Sequence, residues 1–390
     1  MATGREEAAP TFSTWKRRLG QVDISQTRKE VQQFVEVLRA IGTPMIDGLE
    51  VHFVYCNPRS NQVQLAGEFN QWGSRGRLIK LKELGKTGVF YHTLKLKSPG
   101  RLEYKFIVDG KWQTDPFCAM TVDNGVGDKN SAFIVGDLKD PPELQTVPGI
   151  AHGRVEKFEF YSRRLGNHRQ IYAYLPAAYD KFTVQRFSTQ YVHDGGEYLD
   201  RSRFAIVMDN LIAKSDIPPL IVVLMDPVNR MLEYRANQPY ADFLAREFVP
   251  AIDARYRTIA DRDSRAVMGA SLGGLISIYT ALRYPAIFSR VAGQSSALQL
   301  AEVPIASLLS RVKQTSFRWY LDVGEYEPSF IPAHDRFVGV LKKRRWAFFY
   351  QRLPAGHNWT SWRAHLKDLL AFLWAADSRA RHTSAMKRDE

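Results

Sequence analysis

The sequence predicts two folded parts in succession: a small antiparallel β-sandwich, then an α/β unit whose mostly parallel sheet carries helices on both faces. Three observations carry that reading. Between Leu49 and Val135, short runs of alternating apolar and polar residues are separated by turn formers, the pattern of half-buried strands. From Val155 onward, strand-like runs alternate with stretches of helical period, the order expected of a layered βα sheet. Gly269-Ala270-Ser271-Leu272-Gly273 stands where one such strand passes into one such helix, and glycine on each side relieves the collisions that a strained strand-to-helix turn would otherwise impose.

Composition sets the outer bounds. A chain of 390 residues is too long for one small core, and 45% hydrophobic with 24% charged content is that of an ordinary globular protein. No apolar run reaches the roughly 18 residues of a membrane span, and MATGREEAAP holds no hydrophobic signal core, so neither a membrane partner nor export is expected. The two cysteines, Cys56 and Cys118, imply no disulfide framework and fit a reducing cytoplasm, the expected location. Lys and Arg outnumber Asp and Glu by 54 to 41, and the resulting charge of +13 favours anionic partners through long-range attraction. The basic residues are dispersed, however. The densest runs, Lys342-Lys343-Arg344-Arg345 and the tail from Arg379 to Arg388, lack interleaved aromatics, so a solvated basic face is expected and nucleic acid is not. Oligomeric state leaves no trace in these patterns.

Residues 1 to about 22 read as polar and irregular. An amphipathic helix follows, with Thr27 and Glu30 as its capping box and Val31, Phe34, Val35, Leu38 and Ile41 as its apolar stripe, ended by Gly42-Thr43-Pro44. Its polar face is mixed in charge, which favours docking on a neighbouring domain over a membrane surface. Strands are expected at 51–55, 63–67, 89–96, 101–108 and 130–135, then, after the proline-rich stretch containing Pro141-Pro142 and Pro148-Gly149, at 155–161, 168–175, 187–192, 220–225, 266–268, 290–294, 319–323 and 348–353. Helical periods cover 204–213, 240–256, 272–284, 331–344 and 360–375. The expected division is therefore a segment with one helix over 1–48, the sandwich over 49–137, a linker over 138–153, the α/β unit over 154–377 and a basic tail over 378–390. Strand order and helix placement in the second part give an α/β-hydrolase layout.

A serine hydroxyl at such a turn is raised above the sheet edge, and the amide of Leu272 at the helix N-terminus is aimed where an oxyanion would form. A hydroxyl is a poor nucleophile at neutral pH, so Ser271 requires a base, normally histidine. Of nine histidines, His357 lies on the loop after the last expected strand, at the sheet edge where ligands of open α/β sheets bind; His365 reads as a helix surface residue. The acid that orients the base should fall between them in the chain, and Asp322, Glu325 and Glu327 are available, with Glu327 best placed beyond the strand end. A second oxyanion donor is expected from the loop Tyr191-Val192-His193-Asp194-Gly195-Gly196-Glu197-Tyr198, at Gly196, with Gly195 or Glu197 as alternatives. The sequence lacks metal-protease, phosphate-loop and dinucleotide fingerprints, so no metal or organic cofactor is expected.

Two resemblances extend this reading. Leu65-Ala66-Gly67-Glu68-Phe69-Asn70-Gln71-Trp72, Glu103-Tyr104-Lys105-Phe106-Ile107-Val108-Asp109-Gly110-Lys111-Trp112 and Gly127-Asp128-Lys129-Asn130-Ser131 resemble the glycogen-binding modules of AMP-activated kinase beta subunits and isoamylase-type enzymes, immunoglobulin-like β-sandwiches. That resemblance implies that Trp72 and Trp112 stack on glucose rings while Lys105 and Asn130 bond the hydroxyls, making glycogen or another glucan an expected partner. Tyr174-Leu175-Pro176-Ala177-Ala178-Tyr179-Asp180, the Asp194-Gly195-Gly196 loop, Gly269 to Gly274, Asp322 to Glu327, and Gly356-His357-Asn358-Trp359 resemble the enterochelin esterase and esterase D-like family of α/β-hydrolases, which includes feruloyl esterases. Arg230, Glu233 and Asn237 look like the same family's segment ahead of the elbow. The resemblance implies a serine esterase acting on a small-molecule ester, with Arg230 and Glu233 at the substrate or paired with one another. The N-terminal module departs from the siderophore enzymes, which leaves a siderophore trilactone, an acylated saccharide, acyl transfer and a non-catalytic glucan-binding adaptor open.

Overall fold

The computed structural model describes residues 11–21, 24–124, 127–312 and 316–375; the first ten residues and the basic tail expected over 378–390 lie outside them. The described residues form two compact units. One takes those up to Leu138 together with Pro354–Gly356, and the other takes Lys139 to Leu353 and the residues from His357 on.

In the first unit, Glu50–Cys56 and Val89–Lys95 are the centre of one antiparallel sheet, and Val63–Gly67, Gly100–Val108 and Lys129–Val135 are the centre of another. Phe53, Tyr104 and Phe133 meet edge-on between the sheets at centroid distances of 4.9 to 5.7 Å, an arrangement that suits the ring quadrupoles. Short strands at Lys111–Gln113 and Thr121–Asp123 extend the second sheet. Two expectations change at the N-terminus. Phe12–Gln21 is a helix rather than irregular, because Phe12, Trp15 and Leu19 fall on one face and are buried. The following helix starts at Ile24, so Thr27 lies inside it instead of capping it. Its stripe packs in part, with Phe34 and Leu38 fully buried against Val54 and Val89 and Val31 partly buried, while Ile41 at its end stays exposed.

The second unit is built on an eight-stranded sheet. Arg154–Ser162 and Asn167–Leu175 form an antiparallel hairpin at one edge, and Ile221–Met225, Thr189–His193, Arg265–Ala270, Arg290–Gln294, Arg318–Gly324 and Ala347–Leu353 follow in parallel. Apolar clusters fill both faces of this sheet. The central strands are buried throughout, which is why they read as continuous apolar runs. The helix expected over 240–256 runs from Gln238 to Arg255 but widens to an i→i+5 turn at Leu244–Phe248. Pro250 explains the widening, since it offers no N–H and its ring crowds the carbonyl four residues back. The expected linker is also more structured than its prolines suggest. Glu143 and Leu144 are buried, Asn210 Nδ2 donates to Glu143 O and Gln145 O at 2.8 Å, and Lys214 and Lys367 both bond Glu143 Oε1. Glu302–Arg311 is a helix that sequence periodicity did not single out.

Candidate active site

Sheet register brings the key residues to one edge. Ala270 lies opposite Gln294, Gln294 opposite Asp322, and Gly324 opposite Leu353, so the loops carrying Ser271, Ser295, Glu327 and His357 leave the sheet side by side. Ser271 itself has φ 58° and ψ −120°, a conformation non-glycine residues avoid and that only a fixed surrounding maintains. That fixing is visible. Ser271 N–H donates to Gln294 O at 2.8 Å, and Ser271 O accepts from Leu275 and Ala297 at 3.0 and 2.9 Å. A Cβ on Gly269 would lie 2.5 Å from the Gly273 carbonyl carbon, and one on Gly273 would lie 3.0 Å from Asp194 Oδ2. Gly269 is thus required by backbone contact, and Gly273 by the close approach of the Asp194 side chain, rather than by loop flexibility.

Ser271 Oγ lies 2.9 Å from His357 Nε2, and His357 Nδ1 lies 2.5 Å from Glu327 Oε1. Phe330 packs on the imidazole at 4.8 Å and Trp362 meets it edge-on at 5.0 Å, which leaves the ring little freedom to turn. Glu327 is held on its other oxygen by Ser295 Oγ at 2.6 Å and by Gly324 N–H at 2.5 Å, and Trp362 Nε1 donates to Ser295 Oγ at 3.1 Å. Burial works to raise the Glu327 carboxyl, but the neighbouring His357 charge and these hydrogen bonds outweigh it and hold the group below its ordinary range. A relay of hydroxyl, imidazole and ionised carboxylate in this order can take a proton from Ser271 while stabilising the imidazolium that results.

The alternatives weighed for the acid fall elsewhere. Glu325 is exposed. Asp322 is wholly buried one loop away and accepts from Ser295 N–H at 3.1 Å, with burial pushing its carboxyl up to about 7. Ser295, which sequence reasoning missed, joins both carboxylates and itself has φ 43°; no motif marks such a residue. His193 is buried beneath the elbow against Ser277 Oγ at 2.8 Å, and burial pushes it down to about 3. His365 is half-buried rather than on the surface, with Nδ1 2.9 Å from Ser361 O.

Leu272 is the first residue of the helix Leu272–Arg283, as a donor at the positive end of a helix dipole requires. Gly196 departs from expectation. Its N–H donates to Asp226 Oδ1 at 2.7 Å, so a carboxylate already occupies the amide expected to face an oxyanion. The loop residue ahead of it, Asp194, is buried with φ 57° and pairs with Arg230 through two bonds of 2.8 and 2.9 Å. Arg230 Nη2 also reaches Ala270 O at 3.4 Å, beside the elbow, and the side chain stays about one-third exposed. Glu233 does not pair with Arg230 as the sequence allowed. It is buried against Arg169, at 3.2 and 3.3 Å, and accepts from Val228 N–H, because a buried carboxylate demands the nearest buried cation. Glu233 is thus buried under the segment with its carboxylate taken by Arg169 and Val228 N–H.

In the first unit, Trp112 is half-exposed and Trp72 partly buried with φ 56°. Trp112 pairs across from Ile107 on Gly100–Val108, on the face that also carries Lys105. Lys105 is buried and bonded to Asp128, and Asn130 Nδ2 donates to Glu103 Oε2 at 2.8 Å. Among the described residues, no group of three or more His, Cys, Asp or Glu is arranged to hold a metal, and no helix is long and apolar enough to cross a membrane.

Fold and site together define the class, an α/β-hydrolase preceded by an antiparallel β-domain. Residues 162–373, more than half the chain, match the Esterase family model, described as Putative esterase, and residues 49–137 match the Glycogen recognition site of AMP-activated protein kinase. The chain belongs to the Esterase family and is a carboxylic ester hydrolase. It is 28% identical over 231 residues to the Endo-1,4-beta-xylanase/feruloyl esterase of Xylanibacter ruminicola, covering 55% of this chain and 31% of that protein. It is 27% identical over 180 residues to the Iron(III) enterobactin esterase of Escherichia coli strain K12, covering 43% of this chain and 45% of that one. The chain thus spans less than half the length of either relative. The crystal structure of Ferric Enterobactin Esterase from Salmonella typhimurium superposes with a TM-score of 0.71 over 85% of this chain and 95% of that one at 19% identity, a likeness of fold.

Proposed function

We propose that the protein is a serine esterase in which Ser271 attacks an ester carbonyl, His357 accepts the hydroxyl proton and returns it to the leaving alcohol, and Glu327 orients the imidazole. The Leu272 N–H stabilises the oxyanion, and water then hydrolyses the acyl-enzyme through the same base. The observation that carries this reading is the continuous relay of 2.9 and 2.5 Å from Ser271 to Glu327. A second donor, expected from Gly196, would require the Asp226 bond to break on binding substrate.

Two substrate classes fit. The likeness to enterobactin esterases supports an enterobactin-type siderophore trilactone, with Arg230, beside Ala270, gripping an anionic or catecholate group. The match to the glycogen-recognition model and the feruloyl-esterase relative supports an acylated saccharide, with Trp112 and Trp72 of the β-domain stacking on sugar rings and Lys105 and Asn130 bonding hydroxyls once released from Asp128 and Glu103. The test is fluorophosphonate labelling of the full chain, with p-nitrophenyl acetate turnover. Label at Ser271 and a loss of at least about a thousandfold in Ser271→Ala are expected. An unlabelled, inactive wild-type protein would instead favour a glucan-binding adaptor with a silent hydrolase fold. Product analysis over a trilactone and a feruloylated oligosaccharide separates the substrate classes.

A further inference from the structure

We propose that a basic cleft at the far end of the helix Leu272–Arg283 is a binding site for a phosphate monoester. The cleft has a volume of about 330 Å³, and three arginines line it, Arg246, Arg283 and Arg311. They come from separate elements: Arg246 from the wide turn Leu244–Phe248, Arg283 from the last residue of the helix that Ser271 begins, and Arg311 from the last residue of Glu302–Arg311. A twelve-residue helix is about 18 Å long, which sets the cleft well apart from the Ser271 relay.

Like charges brought to one hollow from three elements repel, and a folded chain tolerates this where a counter-charge is supplied. The protein supplies one in part. Asp242 Oδ1 accepts from Arg283 Nε at 3.1 Å and from the Tyr284 hydroxyl, and Arg246 lies over the Tyr284 ring at 5.3 Å. Among the described residues, Asp242 is the one carboxylate bonded to this trio, and Arg311 has no carboxylate partner. Helix C-termini favour cations, which accounts for Arg283 and Arg311 singly but not for their convergence with Arg246. The wall is also braced, since Arg344 Nη1 donates to Val312 O at 2.7 Å just beyond Arg311.

The chemistry of the lining selects the ligand. Guanidinium forks match an anion with several acceptor oxygens, and a phosphate monoester presents three where a carboxylate presents two. Leu282, Leu308 and Val312 provide apolar surface beside the forks, so an organic group carried on the phosphate would be covered as well. The volume suits a ligand of sugar or aryl size rather than a polymer. The site also gives a specific destination to the attraction for anions implied by the chain's charge of +13.

The experiment is calorimetric titration of the full chain at low salt with inorganic phosphate, phenyl phosphate and benzoate, repeated on an Arg246→Gln, Arg311→Gln double variant. Expected are binding of phenyl phosphate about tenfold tighter than inorganic phosphate, no measurable benzoate binding, and a loss of at least about tenfold in the double variant, whose p-nitrophenyl acetate turnover stays at the wild-type level. Saturating phenyl phosphate should raise the wild-type melting temperature by roughly 3 °C or more and leave the variant unmoved. Should the double variant lose its circular-dichroism signature, Arg311→Gln alone, at an exposed position, replaces it. Equal phenyl phosphate affinity in wild type and variant, benzoate binding as tight as phosphate, or no preference for phenyl phosphate over inorganic phosphate would each overturn the proposal.

Discussion

Replacing Asp322 with asparagine should remove a stability penalty that wild type acquires between about pH 4 and 7. The Asp322 carboxyl is wholly buried, and burial pushes it from an ordinary 3.8 up to about 7, a Glu327 charge nearby adding to the rise while bonds from Gln294 and Ser295 oppose it. Below the ordinary value the group is protonated in both folded and unfolded chains, and its ionisation has no effect on stability. Between the two values the unfolded chain gives up the proton and the folded chain keeps it, so stability falls as pH rises; above about 7 the full penalty stands. A gap of about three pH units at roughly 1.36 kcal/mol each corresponds to about 4 kcal/mol. Glu327 runs in the opposite sense. Its folded carboxyl is held below the ordinary 4.5, so its contribution is present above that value and lost as pH falls through the folded one, a lower window that meets the Asp322 window only below about pH 4.5. Urea unfolding of wild type and Asp322→Asn at about pH 4.5, 5.5, 6.5 and 7.5 isolates the effect, and the difference should move toward the variant by roughly 3 kcal/mol across the series. A difference that stays constant with pH would refute the reasoning.

Glu327→Gln keeps the shape of the relay but loses the charge facing His357, and kcat/KM for p-nitrophenyl acetate should fall by roughly a thousand- to ten-thousandfold, less than for Ser271→Ala. A loss under tenfold would remove Glu327 from the relay. Gly269→Ala drives a methyl group to 2.5 Å from the Gly273 backbone, and thermal unfolding should register a loss of about 3 kcal/mol or more; an unchanged melt would mean the elbow relaxes freely. Trp112→Ala should abolish pull-down on glycogen and leave ester turnover within about twofold of wild type, since the indole is half-exposed on the β-domain and remote in sequence from the relay. Retained pull-down would remove Trp112 from any sugar platform.

Much of the second unit was readable because its strands are short, apolar and bounded by turn formers. All eight expected strands are present, and 290–294 and the helices 204–213 and 331–344 agree to the residue. The relay was readable for a related reason. Ser271 and His357 sit just past strand ends, and chain order narrows the acid to Asp322, Glu325 and Glu327, among which reach beyond the strand end favours Glu327. What escaped notice depends on long-range pairing. Nothing local says that Glu233 will be matched by Arg169, that Asp194 will take Arg230, or that the Gly196 amide will meet Asp226. Ser295 follows a strand with no motif about it, and its role emerges only when two neighbouring strands set Asp322 and Glu327 on either side. Phe12–Gln21 was hidden by composition, its three apolar residues being diluted by Lys16, Arg17 and Arg18.

The outermost parallel strand, Ala347–Leu353, bonds to a single neighbour, and His357 hangs four residues beyond its end. Rim strands come loose more cheaply than interior ones, since they shed one ladder instead of two. Turnover should consequently behave as a gauge of the rim. In mild denaturant the rate should decay while the far-ultraviolet circular dichroism still reads as native, so the catalyst would be silenced by fraying well before the rest of the sheet gives way.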